Sequence, residues 1–545
     1  MVCLSFFALI TDAARRRTVR IHHLALFLSL SVIVGMGLQL YQRFVLHDPR
    51  PAGSFFNPNF MGELMSISSI VFIALALFGK DRVRDKGIYI FFFLLSLAAL
   101  ILTKSRGAAI SCLTGISLVL FFRLRWKALA IILSFFVLFA VLPNPLRERV
   151  VSRADAYRYS RLSIYDAGLR VVSDHPLGVG LGNFKYYYDQ YESPVAGAVS
   201  LYGKKARTLH NEHLQVLVEQ GVIGLILYLG FVISLLLKII FPPRSVPHPL
   251  RAITFGAGAS FLVHASVDSL YHTFALPLVM LAIVGLYIGE AEIEWEEAVL
   301  RKGMKVPLAL FTVASVTYCT ATVSSFYLSS LGERQARMGS FDSAITLLRV
   351  ATAADFLDGR KHETKGAIHY RTFLKKGDIF HFKMAIYEVE NALRRQKRSA
   401  SLRGRKAFLL QQGIHRGLYT NDEVGNLDEE SIRLYSAQLV IEPHNVFAMK
   451  NLATLFSKSG RNGEAERILV KAVSTEPNFA IGYYLLGKMR EIRGEKEEAS
   501  FLYKRALSVY KKYAGLKGLD TYAEKLIMLD DQTLNDLRVK IDERE

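Results

Sequence analysis

Cysteine is scarce. Three residues in 545 (Cys3, Cys112 and Cys319) lie far apart, each in an apolar segment. That spacing excludes a disulfide framework and a thiolate metal site, and it leaves three small hydrophobes expected to be buried. Acidic residues are outnumbered, with 48 Asp and Glu against 68 Lys and Arg and a net charge of +20. Neither zinc-finger spacing nor an aromatic RNA-binding signature accompanies this excess, so a nucleic-acid partner is not expected. The charge is read instead as loop Lys and Arg that fix membrane topology and meet anionic lipid. No basic region precedes the apolar run 1–10, and no cleavage site separates it from Arg15-Arg16-Arg17. It is a poor secretory signal. It reads as the tail of a longer apolar segment, with further spans expected upstream.

Apolar residues make up 51% of the chain. They come in blocks near the length that crosses a hydrocarbon core roughly 30 Å thick. Nine spans are expected, at about 22–42, 61–79, 87–103, 107–122, 128–143, 222–241, 252–269, 273–290 and 306–329. In lipid each must be a helix, because its backbone has no water to bond. The loops 11–20, 80–86, 123–127, 242–251 and 291–305 carry clustered Arg and Lys. The span count puts all five on one side, the cytoplasmic one. The opposite side receives the loop 43–60, the turn Lys104-Ser105-Arg106, the long loop 144–213 and everything after residue 330.

The C-terminal part is polar and repetitive. Pro443 and Pro477 are 34 residues apart, as are Leu452 and Leu486, Gly460 and Gly494, Ala465 and Ala499, and Ala472 and Ala506. Small residues where helices cross and Pro at the turn give this period a resemblance to the tetratricopeptide repeat. It is clearest over 437–510. Gly339, Ala344 and Ala351 keep the same internal offsets, whereas 360–430 is too irregular to assign. One repeat cannot bury its own face, so several must stack.

Four clusters on the outer side can carry chemistry. In Arg50-Pro51-Ala52-Gly53-Ser54-Phe55-Phe56-Asn57-Pro58-Asn59, Gly and Pro break the helix and two amides face the membrane surface. Taken alone this is a turn, with Asn59 capping a helix from Phe60. In Thr103-Lys104-Ser105-Arg106-Gly107, Arg106 either snorkels to the interface or meets an anionic headgroup. In the long loop, 160–172 reads as helix, and the glycines of 174–184 read as tight turns, since no strand precedes them to make a dinucleotide fingerprint. In Thr208-Leu209-His210-Asn211-Glu212-His213-Leu214-Gln215, Asn211 can cap a helix whose Glu212, Gln215 and Glu219 form a polar stripe. His210 then stands just ahead of that helix, where a neutral imidazole can accept a proton and an anion can be held. A lone loop histidine is otherwise simply solvated.

At these residues the chain resembles the O-antigen ligase/polymerase family, over roughly 45–290. The motifs are R-P-A-G-S-F-F-N-P-N (50–59), T-K-S-R-G-A (103–108), R-L-S-I-Y-D-A-G-L (161–169), D-H-P-L-G-V-G-L-G-N-F (174–184) and H-N-E-H-L-Q-V-L-V-E-Q-G-V-I-G-L (210–225). The resemblance implies inverting, metal-independent glycosyl transfer without a cofactor, from a glycan on polyprenyl diphosphate to a hydroxyl of lipid A-core or of another glycan. It implies that Arg106 and Arg161 hold the diphosphate and that His210 activates the acceptor hydroxyl or orients it. Asn57, Asn59, Asn211, Glu219 and Asp268 are candidate supports, Asp268 on the further ground that carboxylates in membrane segments are functional by default.

The expected fold is all-α. A basic stretch (1–20) precedes a polytopic transmembrane bundle (21–330), and an extracytoplasmic helical repeat solenoid (331–545) follows. The expected setting is the bacterial inner membrane, and a protein or polymer partner on the repeats is open. Protein O-glycosylation, or a non-enzymatic transporter or scaffold, are the alternatives.

Overall fold

The structure is a computed structural model, and it describes residues 2–79, 82–125, 160–195, 197–203, 205–241, 246–291, 302–516 and 518–542. The expected span at 128–143 and the start of the long loop lie outside them. Among the described residues there is no strand. The longer helices are α1 (Val2–Arg15), α2 (Ile21–Phe44), α3 (Pro58–Phe78), α4 (Val83–Thr103), α5 (Arg106–Leu124), α6 (Ser160–Asp174), α7 (Glu212–Ile240), α8 (His248–Ala265), α9 (Ala275–Glu290) and α10 (Lys302–Arg337). The C-terminal series is α11 (Phe341–Ala354), α12 (Gly359–Lys376), α13 (Ile379–Arg395), α14 (Ala400–His415), α15 (Asn421–Ile441), α16 (Val446–Lys458), α17 (Asn462–Thr475), α18 (Ala480–Ile492), α19 (Lys496–Tyr513), α20 (Thr521–Ile527) and α21 (Asp531–Asp542).

The chain divides into two compact units. The first comprises 1–155, 172–181 and 208–316, and the second 156–171, 182–207 and 317–545. The long loop is thus shared out between them.

In the first unit α3 is the hub, packed against α4, α5 and α8 and buried along most of its length. Small residues allow the close approach. A Cβ on Gly62 would lie 2.7 Å from that of Ala108, and one on Gly115 would lie 2.7 Å from the Gly256 carbonyl oxygen. Helices α5 and α8 therefore touch backbone to backbone. Two serines of α3 return their hydroxyls to the helix, Ser68 to Leu64 O and Ser69 to Met65 O, both at 2.8 Å, while Ser66 Oγ meets Ser260 Oγ of α8 at 2.8 Å. They therefore add little polarity to an apolar environment. By contrast α2, α4 and α7 present outward faces of large hydrophobics, such as Leu26, Phe27 and Val34, Phe91 and Leu94, and Ile226, Leu227 and Phe231. Contiguous apolar faces of this length belong in lipid.

Among the described residues five helices (α2, α3, α4, α5 and α7) are long and apolar enough to cross a membrane. The expected spans at 252–269 and 273–290 form α8 and the shorter α9, and that at 306–329 lies inside α10. None of these three is among the five. Of the cysteines, Cys112 is buried, Cys3 half-buried and Cys319 exposed, so the expectation of three buried thiols fails for helix faces turned outward.

The second unit is a run of antiparallel helix pairs. Ala344, Ala351, Ala465, Ala472, Ala499 and Ala506 are fully buried at helix crossings. Gly339, Gly460 and Gly494 take φ of 82°, 75° and 80° at equivalent turns. A side chain would be strained there. The pairing continues through the stretch whose sequence was too irregular to assign. There α12 packs on α13 and α13 on α14, with Ala385, Ala392 and Ala407 as the small crossing residues.

Candidate active site

The Pro58 end of α3, the Arg106 end of α5, the Glu212 end of α7 and the Ala265 end of α8 carry the candidate residues of the first unit. Asn57, not Asn59, caps α3: its side chain accepts from the Asn59 backbone N–H at 2.9 Å. Pro58 explains the shift, since its fixed φ suits the first helical position and it has no N–H to leave unbonded. Asn59 is thereby released for other work. Its Nδ2 donates to Asp268 Oδ2, and its Oδ1 accepts from Arg50 Nη2 at 3.2 Å.

Asp268 sits in the turn beyond α8, almost fully buried. Its other oxygen meets His210 Nδ1 at 3.2 Å and accepts the Ser269 N–H at 2.8 Å. Burial works against the charged carboxyl. The bonds from His210, the Ser269 backbone and Asn59 outweigh it and hold the group at about 2. Asp268 is therefore an anion. A carboxylate on Nδ1 fixes the tautomer of a neutral imidazole, with the proton on Nδ1 and the accepting lone pair on Nε2. The His210 side chain is 39% exposed and that of Asp268 2%, so the ring meets solvent while the carboxylate that holds it is buried. His210 itself has φ 51°. That left-handed conformation is rare for a residue other than glycine.

The chain around His210 is tightly specified. Asn211 caps α7, accepting from Leu214 N at 3.0 Å. Thr208 Oγ1 accepts from Ser269 Oγ at 2.9 Å. The polar stripe on α7 faces inward: Gln215 accepts from Leu209 N and donates to Glu219 Oε1, both at 2.8 Å. Glu212 accepts from Tyr271 N at 2.6 Å and lies 3.5 Å from His272 Nδ1, which holds that imidazole above its usual range.

The glycine-rich motif is tied to the same helix. Val179 N and Gly180 N donate to Val218 O and Glu219 O, and Val222 N donates to Pro176 O, at 2.8–3.0 Å. The helix kinks there at Gly221 (φ 73°, ψ −173°), where a Cβ would lie 2.3 Å from the Leu177 carbonyl carbon. Gly178 and Gly221 thus permit two backbones to touch, and the glycines act as the turn and contact residues that the sequence suggested.

Arg106 opens α5 and is exposed, with Lys104 left-handed at φ 51° and Ser105 accepting from Ala108 N. Arg161 lies in the first turn of α6, exposed, in the second compact unit. The two guanidinium groups that the resemblance assigns to one diphosphate are therefore carried by different units.

Sequence reasoning passed over Arg50 and Glu63. Arg50 stands in a motif that was recognised, but its bond to Asn59 was not legible. Glu63 is fully buried on α3. It meets His264 Nδ1 and accepts from Ser111 Oγ at 2.8 and 2.9 Å, with Ser260 Oγ at 3.4 Å. The pair locks α3, α5 and α8 together a turn inward from Asn59, Arg106 and Asp268. A lone carboxylate in an apolar helix was the available signal.

Residues 91–229 match the O-antigen ligase family, a range that holds Arg106, Arg161, His210, Asn211 and Glu219 but not Asn57, Asn59 or Asp268. No curated protein matches the chain. Among solved structures, the helical repeats are similar to MamA of Desulfovibrio magneticus RS-1 (15% identity, 35% of this chain and 97% of that one, TM-score 0.29). They are also similar to a thermophilic tetratricopeptide-repeat protein of Thermus thermophilus (16% identity, 40% and 97%, TM-score 0.27). PilF of Pseudomonas aeruginosa is a third (15% identity, 41% and 90%, TM-score 0.28).

Proposed function

From the O-antigen ligase domain at residues 91–229, which supports a glycosyltransferase-type role in polysaccharide biosynthesis, we propose that this membrane protein transfers a glycan from polyprenyl diphosphate to an acceptor hydroxyl. The observation that carries the reading is the chain Arg50–Asn59–Asp268–His210 at the outer ends of membrane helices. In the proposed step His210 Nε2 takes the proton of the acceptor hydroxyl as its oxygen attacks the anomeric carbon. The bond from that carbon to the diphosphate oxygen breaks, and the electron pair leaves on the diphosphate. Attack opposite the leaving group inverts the anomeric centre. Asp268 stabilises the imidazolium that forms, and Asn59, Asn57, Asn211 and Glu219 hold the groups around it. Arg106 and Arg161 neutralise the charge that develops on the diphosphate. No metal is needed in this scheme, because a lipid diphosphate leaves without acid help. The site faces the outer side of a bacterial inner membrane, with the repeats on that side.

The test is a reconstituted assay with purified polyprenyl-diphosphate glycan. Transfer to lipid A-core identifies a ligase, longer lipid-linked chains a polymerase, and transfer to a protein hydroxyl an O-oligosaccharyltransferase. His210→Ala and Arg161→Ala should abolish transfer while the chain still inserts. Full transfer by both variants would overturn the site, and no product from the wild type would favour a transporter or scaffold.

A further inference from the structure

The second unit contains both the repeats and residues 182–207 of the long loop. Its inter-helix junctions grip that loop through equivalent residues. Glu442 and Glu476 are 34 apart, each just past the end of its helix (α15 and α17) and each followed by proline. His444 and Asn478 are also 34 apart. All four touch the loop. The Glu476 carboxylate is fully buried and accepts the backbone N–H groups of Leu201 and Tyr202, each at 2.8 Å. Asn478 Nδ2 donates to Val199 O at 2.8 Å. The His444 ring stacks on Tyr202 at 3.9 Å and 9°. Glu442 lies 3.8 Å from Lys205 Nζ, which donates to Asp189 at 2.8 Å. An earlier junction repeats the pattern: Arg398, between α13 and α14, donates to Tyr186 O and Gln190 Oε1 and lies 3.7 Å over the Tyr187 ring.

Carboxylate and carboxamide groups aimed at main-chain N–H and C=O, with an aromatic stack beside them, are how a groove recognises an extended peptide. A fully buried carboxylate in a polar repeat domain also requires something to bond it, and here the loop amides do so.

We propose that the repeat domain is a receptor for this chain's own loop. Its junctions hold residues 184–205 as a peptide ligand, and it works in cis on the stretch that runs into His210 instead of presenting an open groove to a second protein. The capture stands on contacts within one unit. Its consequence for transfer rests on the role of His210 proposed above.

The experiment uses the full chain in lipid nanodiscs. Hydrogen exchange is followed at the Leu201 and Tyr202 amides, and transfer kinetics are measured on the same samples. Glu476→Ala should speed exchange at those amides by at least about tenfold and lower transfer several-fold, with helix content unchanged. Glu476→Gln, which keeps one accepting oxygen, should restore part of both. Asn478→Ala removes one bond only and should give a smaller change in the same direction, which serves if Glu476→Ala fails to fold. Exchange unchanged in the alanine variants overturns the capture. Faster exchange with undiminished transfer overturns the action on the His210 stretch. A wild type that shows protected amides but makes no product would sink the transferase reading and leave the capture standing.

Discussion

Two clusters of buried acids, one in each unit, are held in different ways. In the membrane unit Glu63, Asp268 and Glu212 are each met by an imidazole, of His264, His210 and His272 respectively. In one cluster of the second unit Asp189, Glu192 and Glu442 gather about one ammonium, Lys205, with Glu476 acting on Glu192. Pairing suits helices in lipid, where an unmatched charge is costly, and it also orients each ring. Crowding of like charges leaves a contact sensitive to conditions. Burial and the neighbouring carboxylates push Glu192 up to about 9 and Asp189 to about 6. One Glu192 oxygen has no hydrogen-bond partner among the described residues.

The largest expected effect breaks the orienting pair. Asp268→Asn keeps the shape but removes the charge that fixes the His210 tautomer, and transfer should fall on the order of 100-fold in the reconstituted assay. Next comes Glu63→Ala, which strands His264 in the bundle. It should destabilise the protein by about 3–5 kcal/mol in detergent unfolding, whereas replacing Glu63 and His264 together by Met and Leu should recover most of the loss. Gly221→Ala should cost about 1–3 kcal/mol or more, because φ 73° with ψ −173° is a glycine conformation and the Leu177 backbone fills the Cβ site.

The smallest effect concerns the acid crowd. A carboxyl whose folded value is raised favours the neutral form. The stability it contributes is complete below the unfolded value of 4.5 and declines as pH rises toward about 9. Protease cleavage within 182–207 should therefore quicken across that range, and Glu192→Gln should flatten the profile. A profile that stays steep in that variant would assign the effect to Asp189 or Glu476.

Much of this was legible in the sequence, for identifiable reasons. Span-length apolar blocks and a 34-residue period are local signals, and they led to the membrane helices and the repeat pairs. The order of charged loops put residues 50–59, 104–106, 208–213 and Asp268 on one side, and the structure joins Asn59, His210 and Asp268 there. What escaped was tertiary. The cap fell on Asn57 instead of Asn59, two residues earlier, because Pro58 fits the first turn. The kink at Gly221 escaped because it is set by a backbone from another segment. Glu63 was passed over because its partner lies 201 residues away, and the capture of the loop by Glu476 because that bond spans 275 residues. No periodicity reports such pairings.

The central claim is that His210 and Asp268 act as one proton-accepting unit in glycan transfer. A double-mutant cycle with His210→Ala and Asp268→Asn in the reconstituted assay tests it most directly. Groups that act together are strongly non-additive. The account predicts that the double variant is no slower than His210→Ala alone. Losses that multiply, with Asp268→Asn slowing the His210→Ala enzyme by its full factor, would contradict it.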